Sequence, residues 1–178
     1  MKKPTYRQLN FFRKFLGALF VLILFCYRKE KLRKPAILLI LSGLLTRFWA
    51  AGTISKNREL ARSGPYSLTR NPLYFGSFMM GFGFSVLLLP VSLILGFCIA
   101  FSCAYLPKMR QEESDLRRFF GSDFENYSNQ VPLFFPKIHS YAKSKFSLKL
   151  AVRNKEYNAF LAILLLLAVI FLGRKRFI

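Results

Sequence analysis

Long apolar runs separated by short basic stretches dominate this chain. Five apolar segments lie at residues 15–27, 35–52, 73–89, 91–106 and 157–173. Apolar runs of this kind predict helices, and each is somewhat shorter than the ~20 residues that usually cross a bilayer. Flanking Lys and Arg side chains can bridge that difference by reaching to the membrane interface. We therefore expect an all-α integral membrane protein with about five transmembrane helices. The first segment either crosses the bilayer or lies along its surface, because Arg13 and Lys14 interrupt its start.

The third and fourth segments are separated only by Pro90 and predict a central helical hairpin. The tip at residues 87–91 carries no charge. Basic residues flank both outer ends: Arg62, Arg70, Lys108 and Arg110. The positive-inside rule therefore predicts that both ends of the hairpin face the cytoplasm. With five spans, the basic stretches 28–34 and 174–176 fall on the opposite side, so the orientation of the chain ends stays open.

Residues 107–156 are polar, basic and aromatic, and they predict an amphipathic element on the cytoplasmic surface of the membrane. Within it, residues 112–120 favour a helix that Gly121 ends. Ser122 and Glu125 match the capping-box pattern at the start of a further short helix.

Composition narrows the class of protein. The 178 residues are 53% hydrophobic and carry a formal net charge of +20. Nucleic acid and membranes compete as partners for so much positive charge. Because the basic residues flank apolar runs, we expect anionic lipids and no nucleic acid. The length predicts a single membrane domain, 1–178, with a motif-bearing core at 60–136 and an extra C-terminal membrane helix at 157–173.

Few residues are of the kind that binds metals. The three cysteines lie in apolar runs and His139 is the single histidine, so the sequence predicts no metal site.

The geometry of the hairpin predicts the position of a binding site. A helix over residues 73–89 climbs about 25 Å, and the returning helix covers a similar distance. The adjacent carboxylates of Glu112 and Glu113 should therefore return to the level of Arg70 and Tyr74. An Arg side chain suits a carboxylate ligand, and a Glu suits ribose hydroxyls or an ammonium group. We expect a pocket here for an amino acid or nucleoside conjugate.

These residues also resemble a known family. Residues 70–76 read Arg-Asn-Pro-Leu-Tyr-Phe-Gly, and a hydrophobic stretch then leads to Glu112 and Glu113. This combination is similar to the Arg-His-Pro-x-Tyr, hydrophobic, Glu-Glu signature of isoprenylcysteine carboxyl methyltransferases and the related phospholipid N-methyltransferases. Gly64-Pro65-Tyr66 precedes the signature as it does in that family, and a tail pattern follows it, made of Leu116, Phe120-Gly121, Tyr127 and Val131-Pro132. The resemblance therefore covers roughly residues 60–136.

The resemblance implies an S-adenosylmethionine-dependent methyltransferase with a lateral opening for a lipophilic substrate from the bilayer. It implies a cofactor site lined by Arg70, Asn71, Pro72, Tyr74, Gly76, Glu112 and Glu113. Arg117 and Arg118 are candidates for binding a lipid phosphate of the substrate. Two positions depart from the family: Asn71 stands where its best-known members have His, and Phe124 where Tyr is common. The acceptor stays open among an isoprenylcysteine carboxylate, a phospholipid amine and a small lipophilic thiol or phenol.

Other interpretations remain beside this one. A non-catalytic membrane protein that binds anionic lipids through its basic surface is the main alternative. Arg47, inside the second segment, either has a functional role or reaches to the interface. Gly81 and Gly83 favour close helix packing. No residue is an evident catalytic base, and an isolated histidine such as His139 is more often structural.

Overall fold

The computed structural model describes residues 6–26, 33, 35–54, 59–137 and 141–175, and these residues are helical or irregular, without strands. The helices in them are α1 (Tyr6–Cys26), α2 (Ala36–Thr53), α3 (Pro72–Leu88), α4 (Val91–Phe120), α5 (Ser122–Gln130), α6 (Leu148–Arg153) and α7 (Tyr157–Lys175). A short 3-10 helix, Gly64–Ser67, precedes α3. The all-α prediction is confirmed for these residues. His139 lies outside the described residues.

The apolar segments of the sequence coincide with helices, but two boundaries differ from the prediction. Helix α1 begins at Tyr6, so Arg13 and Lys14 lie inside it rather than before it. Helix α4 continues through Pro107 to Phe120, so residues 112–120 are helical as predicted and form the last part of this long helix. Proline removes one backbone donor without necessarily ending a helix, because neighbouring groups can adjust around it. The long α4 carries one rigid element from the apolar layer into the polar part of the protein.

Gly121 ends α4 as predicted, with a φ of 50° that favours glycine. The short helix after it is present as α5, but the capping box is wrong because no side chain caps this helix. Ser122 is already the first helical residue, since Gly121 takes the capping position. Glu125 instead pairs with Arg117, whose Nε lies 3.1 Å from Glu125 Oε1.

Large apolar side chains are exposed along the outer faces of four helices. They are Phe11, Phe15, Leu19 and Leu22 on α1, Leu38, Leu41 and Leu45 on α2, Val91, Leu95 and Ile99 on α4, and Leu161, Leu164 and Leu165 on α7. In the described ranges, α2 and α4 are long and apolar enough to cross a membrane. Helix α3 (Pro72–Leu88) and the Tyr157–Ala168 part of α7 are apolar but shorter. Exposed apolar surface of this extent suits lipid rather than water. The chain is therefore a membrane protein, and the count of five spans stays a prediction.

Helices α2 and α3 pack with their backbones in close approach. A Cβ atom on Gly76 would lie 2.6 Å from the Gly43 carbonyl oxygen, so neither helix has room for a larger residue there. A Cβ atom on Gly83 would similarly lie 2.7 Å from Ile40 Cγ1, and one on Gly81 would lie 2.6 Å from the Phe97 ring of α4. The predicted packing role of Gly81 and Gly83 is confirmed. This contact fixes the start of α3, where the candidate site begins.

Candidate functional site

The α3–α4 hairpin brings its two ends together as the sequence predicted. Tyr74 Oη donates a hydrogen bond of 2.7 Å to Glu112 Oε1. Arg70 Nη1 lies 2.7 Å from Glu113 Oε1, and both side chains of this ion pair are largely buried, at 16% and 19% exposure. The adjacent carboxylates of α4 thus each meet a different partner from the start of α3. Two polar contacts close this end of the hairpin.

Lys108 adds a cation that the sequence analysis noted only as a basic flank. It lies one helical turn before Glu112 on α4, and its Nζ is 3.5 Å from Glu112 Oε1. Lys108 is buried, with 3% of its surface exposed. The i, i+4 spacing of a Lys and a Glu was the available signal for this pair. Glu112 therefore interacts with both Tyr74 and Lys108.

The irregular segment 131–137 forms a further side of the site. The backbone N–H of Arg70 donates to the Pro132 carbonyl at 2.9 Å. The Asn71 side-chain amide donates to the Leu133 carbonyl at 3.0 Å. The Thr69 hydroxyl donates to the Phe134 carbonyl at 2.8 Å. These bonds use the polar groups on both sides of Arg70 to hold the backbone, which leaves the Arg70 side chain to reach Glu113.

The remaining candidate residues, some implied by the resemblance and some by their charge, lie at other places on α3 and α4. Pro72 is buried as the first residue of α3, where its missing N–H costs nothing. Gly76 faces α2, and a Cβ atom there would lie 2.6 Å from Arg47 Cγ. Arg117 and Arg118 are exposed near the end of α4. Their roles as cofactor or substrate contacts stay predictions.

Helix α5 is hydrogen-bonded to the 3-10 helix that precedes the site. Tyr127 Oη donates a hydrogen bond of 2.7 Å to the Tyr66 carbonyl, and Tyr127 packs with Phe124 and Val131 in a small apolar cluster. Burial raises the pKa of Tyr127 far above its ordinary value, while the positive charge of Arg70 opposes the shift. The phenol therefore remains protonated and able to donate near neutral pH. This bond ties α5 to the 3-10 helix before α3.

Replacing Tyr127 by Phe should lower the stability of the protein. The change removes one oxygen and leaves the Tyr66 carbonyl without its donor, which costs about 1–3 kcal/mol. Thermal unfolding in detergent should show a lower midpoint. Tyr141→Phe is the matched control, because Tyr141 is 52% exposed and its change should shift stability by less than about 0.5 kcal/mol. Equal midpoints for the two variants would contradict this role of Tyr127.

Several buried polar atoms at or next to the site have no hydrogen-bond partner within the described part of the protein. They include Arg70 Nε, a donor, and Gln111 Oε1, an acceptor. Buried polar groups are almost always hydrogen-bonded, so unpartnered ones indicate a position where a polar ligand can bind. A ligand with both an acidic and a donor group suits these two atoms. Gln111 was not among the residues predicted from the sequence, and its position next to Glu112 was the available signal.

The arrangement defines a class: a helical membrane protein with a polar site at one end of a helical hairpin. The phospholipid methyltransferase family matches residues 35–123, half of the chain. This region contains the whole of α2, α3 and α4, and it holds both residues of the Arg70–Glu113 pair. The chain belongs to the phospholipid methyltransferase family.

Curated relatives each match about half of this chain. The nickel-cobalt-cadmium resistance protein NccN of Alcaligenes xylosoxydans xylosoxydans is 35% identical over 94 residues, which is 52% of this chain and 44% of that protein. The cobalt-zinc-cadmium resistance protein CzcN of Cupriavidus metallidurans is 37% identical over 99 residues, 53% of this chain and 44% of that protein. The protein-S-isoprenylcysteine O-methyltransferase of Xenopus laevis is 33% identical over 84 residues, 47% of this chain and 29% of that enzyme.

The chain thus spans less than half the length of these relatives. No solved structure shows significant similarity to the chain.

Proposed function

We propose that this protein is an S-adenosylmethionine-dependent methyltransferase that acts on a lipophilic acceptor drawn from the membrane. The closure of the α3–α4 hairpin by the Arg70–Glu113 ion pair carries this proposal. Family membership supports the reaction class, and the isoprenylcysteine methyltransferase relatives support a membrane-borne acceptor. The acceptor is an isoprenylcysteine carboxylate, a phospholipid amine or a similar group.

The residues at the site suit the charged end of S-adenosylmethionine. The free Nε of Arg70 is placed to bind its carboxylate. Glu112 and Glu113 are suited to the ammonium group and the ribose hydroxyls, while Tyr74 orients Glu112. In this proposal Asn71, Pro72 and Gly76 act indirectly, by fixing the backbone turn that carries Arg70 and the first turn of α3.

S-adenosylmethionine supplies an activated methyl group: an electron pair of the acceptor forms the new bond to carbon, and the pair of the broken C–S bond stays on sulfur. The protein then has to hold the acceptor in line and keep water out. A carboxylate acceptor needs no base, whereas an amine or thiol must first lose a proton. Glu112 accepts from Tyr74 and Glu113 pairs with Arg70, so both carboxylates of the site are engaged in holding the hairpin, and we favour an acceptor that arrives deprotonated.

The proposal places five helices, α1, α2, α3, the first part of α4 and α7, across the bilayer. The Arg70–Glu113 end then faces the cytoplasm, where the basic ends of the hairpin meet anionic lipids. In this arrangement Arg117 and Arg118 lie at the level of the lipid phosphates and contact the head group of the substrate.

Two measurements test the proposed function. Calorimetric titration of the purified protein in neutral detergent should show S-adenosylmethionine binding. Incubation with the methyl-radiolabelled compound and a total lipid extract should transfer label to a lipid fraction, whose identity names the acceptor. A protein that binds no S-adenosylmethionine is not such an enzyme and would favour the non-catalytic binding of anionic lipids. Binding without any labelled lipid would rule out a lipid acceptor.

A further inference from the structure

Arg13 of α1 lies close to the candidate site although it is outside the family-matched region. Its guanidinium carbon is 5.1 Å from the centroid of the Tyr105 ring on α4. The Tyr105 ring in turn lies 5.4 Å from the Tyr74 ring, edge to face. Tyr74 is the residue that donates to Glu112. Two aromatic rings therefore connect Arg13 to the carboxylates of the site.

The guanidinium of Arg13 has fewer partners than the other arginines packed near this end of the hairpin. Arg47 and Arg70 each form an ion pair with a glutamate. In the described ranges Arg13 forms no ion pair, and its Nη1 donates a hydrogen bond of 3.3 Å to Asn10 Oδ1. Its Nε is buried and has no acceptor. A buried, charged donor without an acceptor is costly, so this position favours a ligand that brings one.

The surroundings of Arg13 indicate the chemistry of that ligand. A guanidinium presents its N–H groups as a planar fork that matches the two oxygens of a carboxylate or phosphate. Phe11, Phe12 and Phe15, next to Arg13 on α1, are exposed apolar side chains. On the inner side, Tyr105 stacks on Phe101 with ring centroids 4.2 Å apart. A cation set among aromatic rings suits an amphiphile whose anionic group lies at the edge of the apolar layer.

We propose that Arg13 binds the oxyanion, a carboxylate or a phosphate, of the lipophilic methyl acceptor. The anion rests on Arg13 while the apolar chain lies along the aromatic side chains of α1 and α4. This inference rests on the proposed function, because it places the acceptor next to the site that would hold the methyl donor. It assigns the acceptor to amphiphiles that carry an anionic carboxylate or phosphate group and excludes lipids that carry no charged group.

Paired ligands that differ only in charge test the inference without any methyl transfer. Binding of radiolabelled oleate and of neutral oleamide is measured on the intact protein in neutral detergent. Lysophosphatidate and neutral monoolein form the phosphate pair. A charge-assisted contact should make the anion of the preferred pair bind at least about tenfold more tightly than its neutral partner. In Arg13→Gln that ratio should fall to about one.

Lys14→Gln is the matched control. It removes the same charge from the neighbouring, exposed residue of α1 and should keep the ratio of the wild type. Arg13→Met keeps the apolar stem of the side chain and should lower the affinity ratio to about one, as Arg13→Gln does. With two variants, the test still holds if one of them folds poorly. The inference is overturned if the wild type binds anionic and neutral ligands alike in both pairs. It is also overturned if Lys14→Gln lowers the ratio as much, because bulk positive charge would then explain it.

The failure of this inference is distinguishable from failure of the proposed function. A protein that binds S-adenosylmethionine but shows no charge preference has lost only the Arg13 assignment. A protein with an Arg13-dependent preference but no S-adenosylmethionine binding retains the anion site and loses the methyltransferase. The carboxylate and phosphate pairs then separate an acid from a phospholipid as the source of the anion.

Discussion

Arg70→Ala should weaken S-adenosylmethionine binding by at least about a hundredfold, or about 3 kcal/mol. The change removes the guanidinium that would bind the carboxylate of the ligand. It also leaves Glu113, a largely buried carboxylate, without the cation that lies 2.7 Å from it. An unpaired charge of this kind repels the negative end of the ligand and destabilises the pocket. Calorimetric titration of the purified variant measures the loss.

Arg62→Ala is the control for this loss. Arg62 is also basic and precedes α3, but its contact with Asp123 is 3.7 Å long and both side chains are more than half exposed. Its removal should change the affinity less than about twofold, because exposed ion pairs contribute little. Glu113→Gln keeps the shape of the side chain and should give an intermediate loss. Unchanged affinity in Arg70→Ala would refute the assignment of the cofactor site.

Glu156→Ala should destabilise the fold by about 3–5 kcal/mol, the usual cost of breaking a buried ion pair. Glu156 lies between α6 and α7 and is 4% exposed. Its two carboxylate oxygens accept from Arg47 Nε at 2.5 Å and from Arg47 Nη2 at 3.0 Å. Arg47 also donates to the Ser77 hydroxyl and the Leu73 carbonyl on α3. The variant leaves this cation buried without its counter-charge.

Denaturation in mixed detergent micelles measures that loss. Arg47→Met combined with Glu156→Ala should cost less than the sum of the single changes, because neither charge is then left alone. Glu125→Ala is the matched control, since its pair with Arg117 is about half exposed and its loss should cost less than about 1 kcal/mol. A Glu156→Ala protein as stable as the control variant would show that this pair does not hold α7 to the core.

The prediction of the site from sequence worked where local geometry determines distance. A helix rises by the same amount for each residue, so two apolar runs joined at Pro90 return to their starting level. That argument placed Glu112 and Glu113 beside Arg70 and Tyr74, and both contacts are present at 2.7 Å. The same argument holds although α4 extends beyond residue 106, because the continuous helix keeps the same rise per residue as far as Glu112.

Partners that are distant in sequence were not predictable in this way. Arg47 was interpreted either as functional or as reaching to the interface, and its actual partner Glu156 lies 109 residues later. The chain has only eight acidic residues. This scarcity was the available signal for an ion-pair partner of Arg47, but it does not identify which acidic residue that partner is. The Ser122–Glu125 pattern predicted a capping contact within one short helix. The Glu125 side chain instead forms an ion pair with Arg117 of the preceding helix.

The sequence by itself determined the helices, the hairpin and the residues that meet at its end, because hydrophobic periodicity and helical rise are properties of the local chain. Tertiary structure alone decided how α1 and the C-terminal residues are attached to that hairpin. Arg13 reaches Tyr105 and Glu156 reaches Arg47 only after separate helices have packed. Side-chain burial and charge pairing in a helical membrane protein depend on that packing, which no single segment encodes.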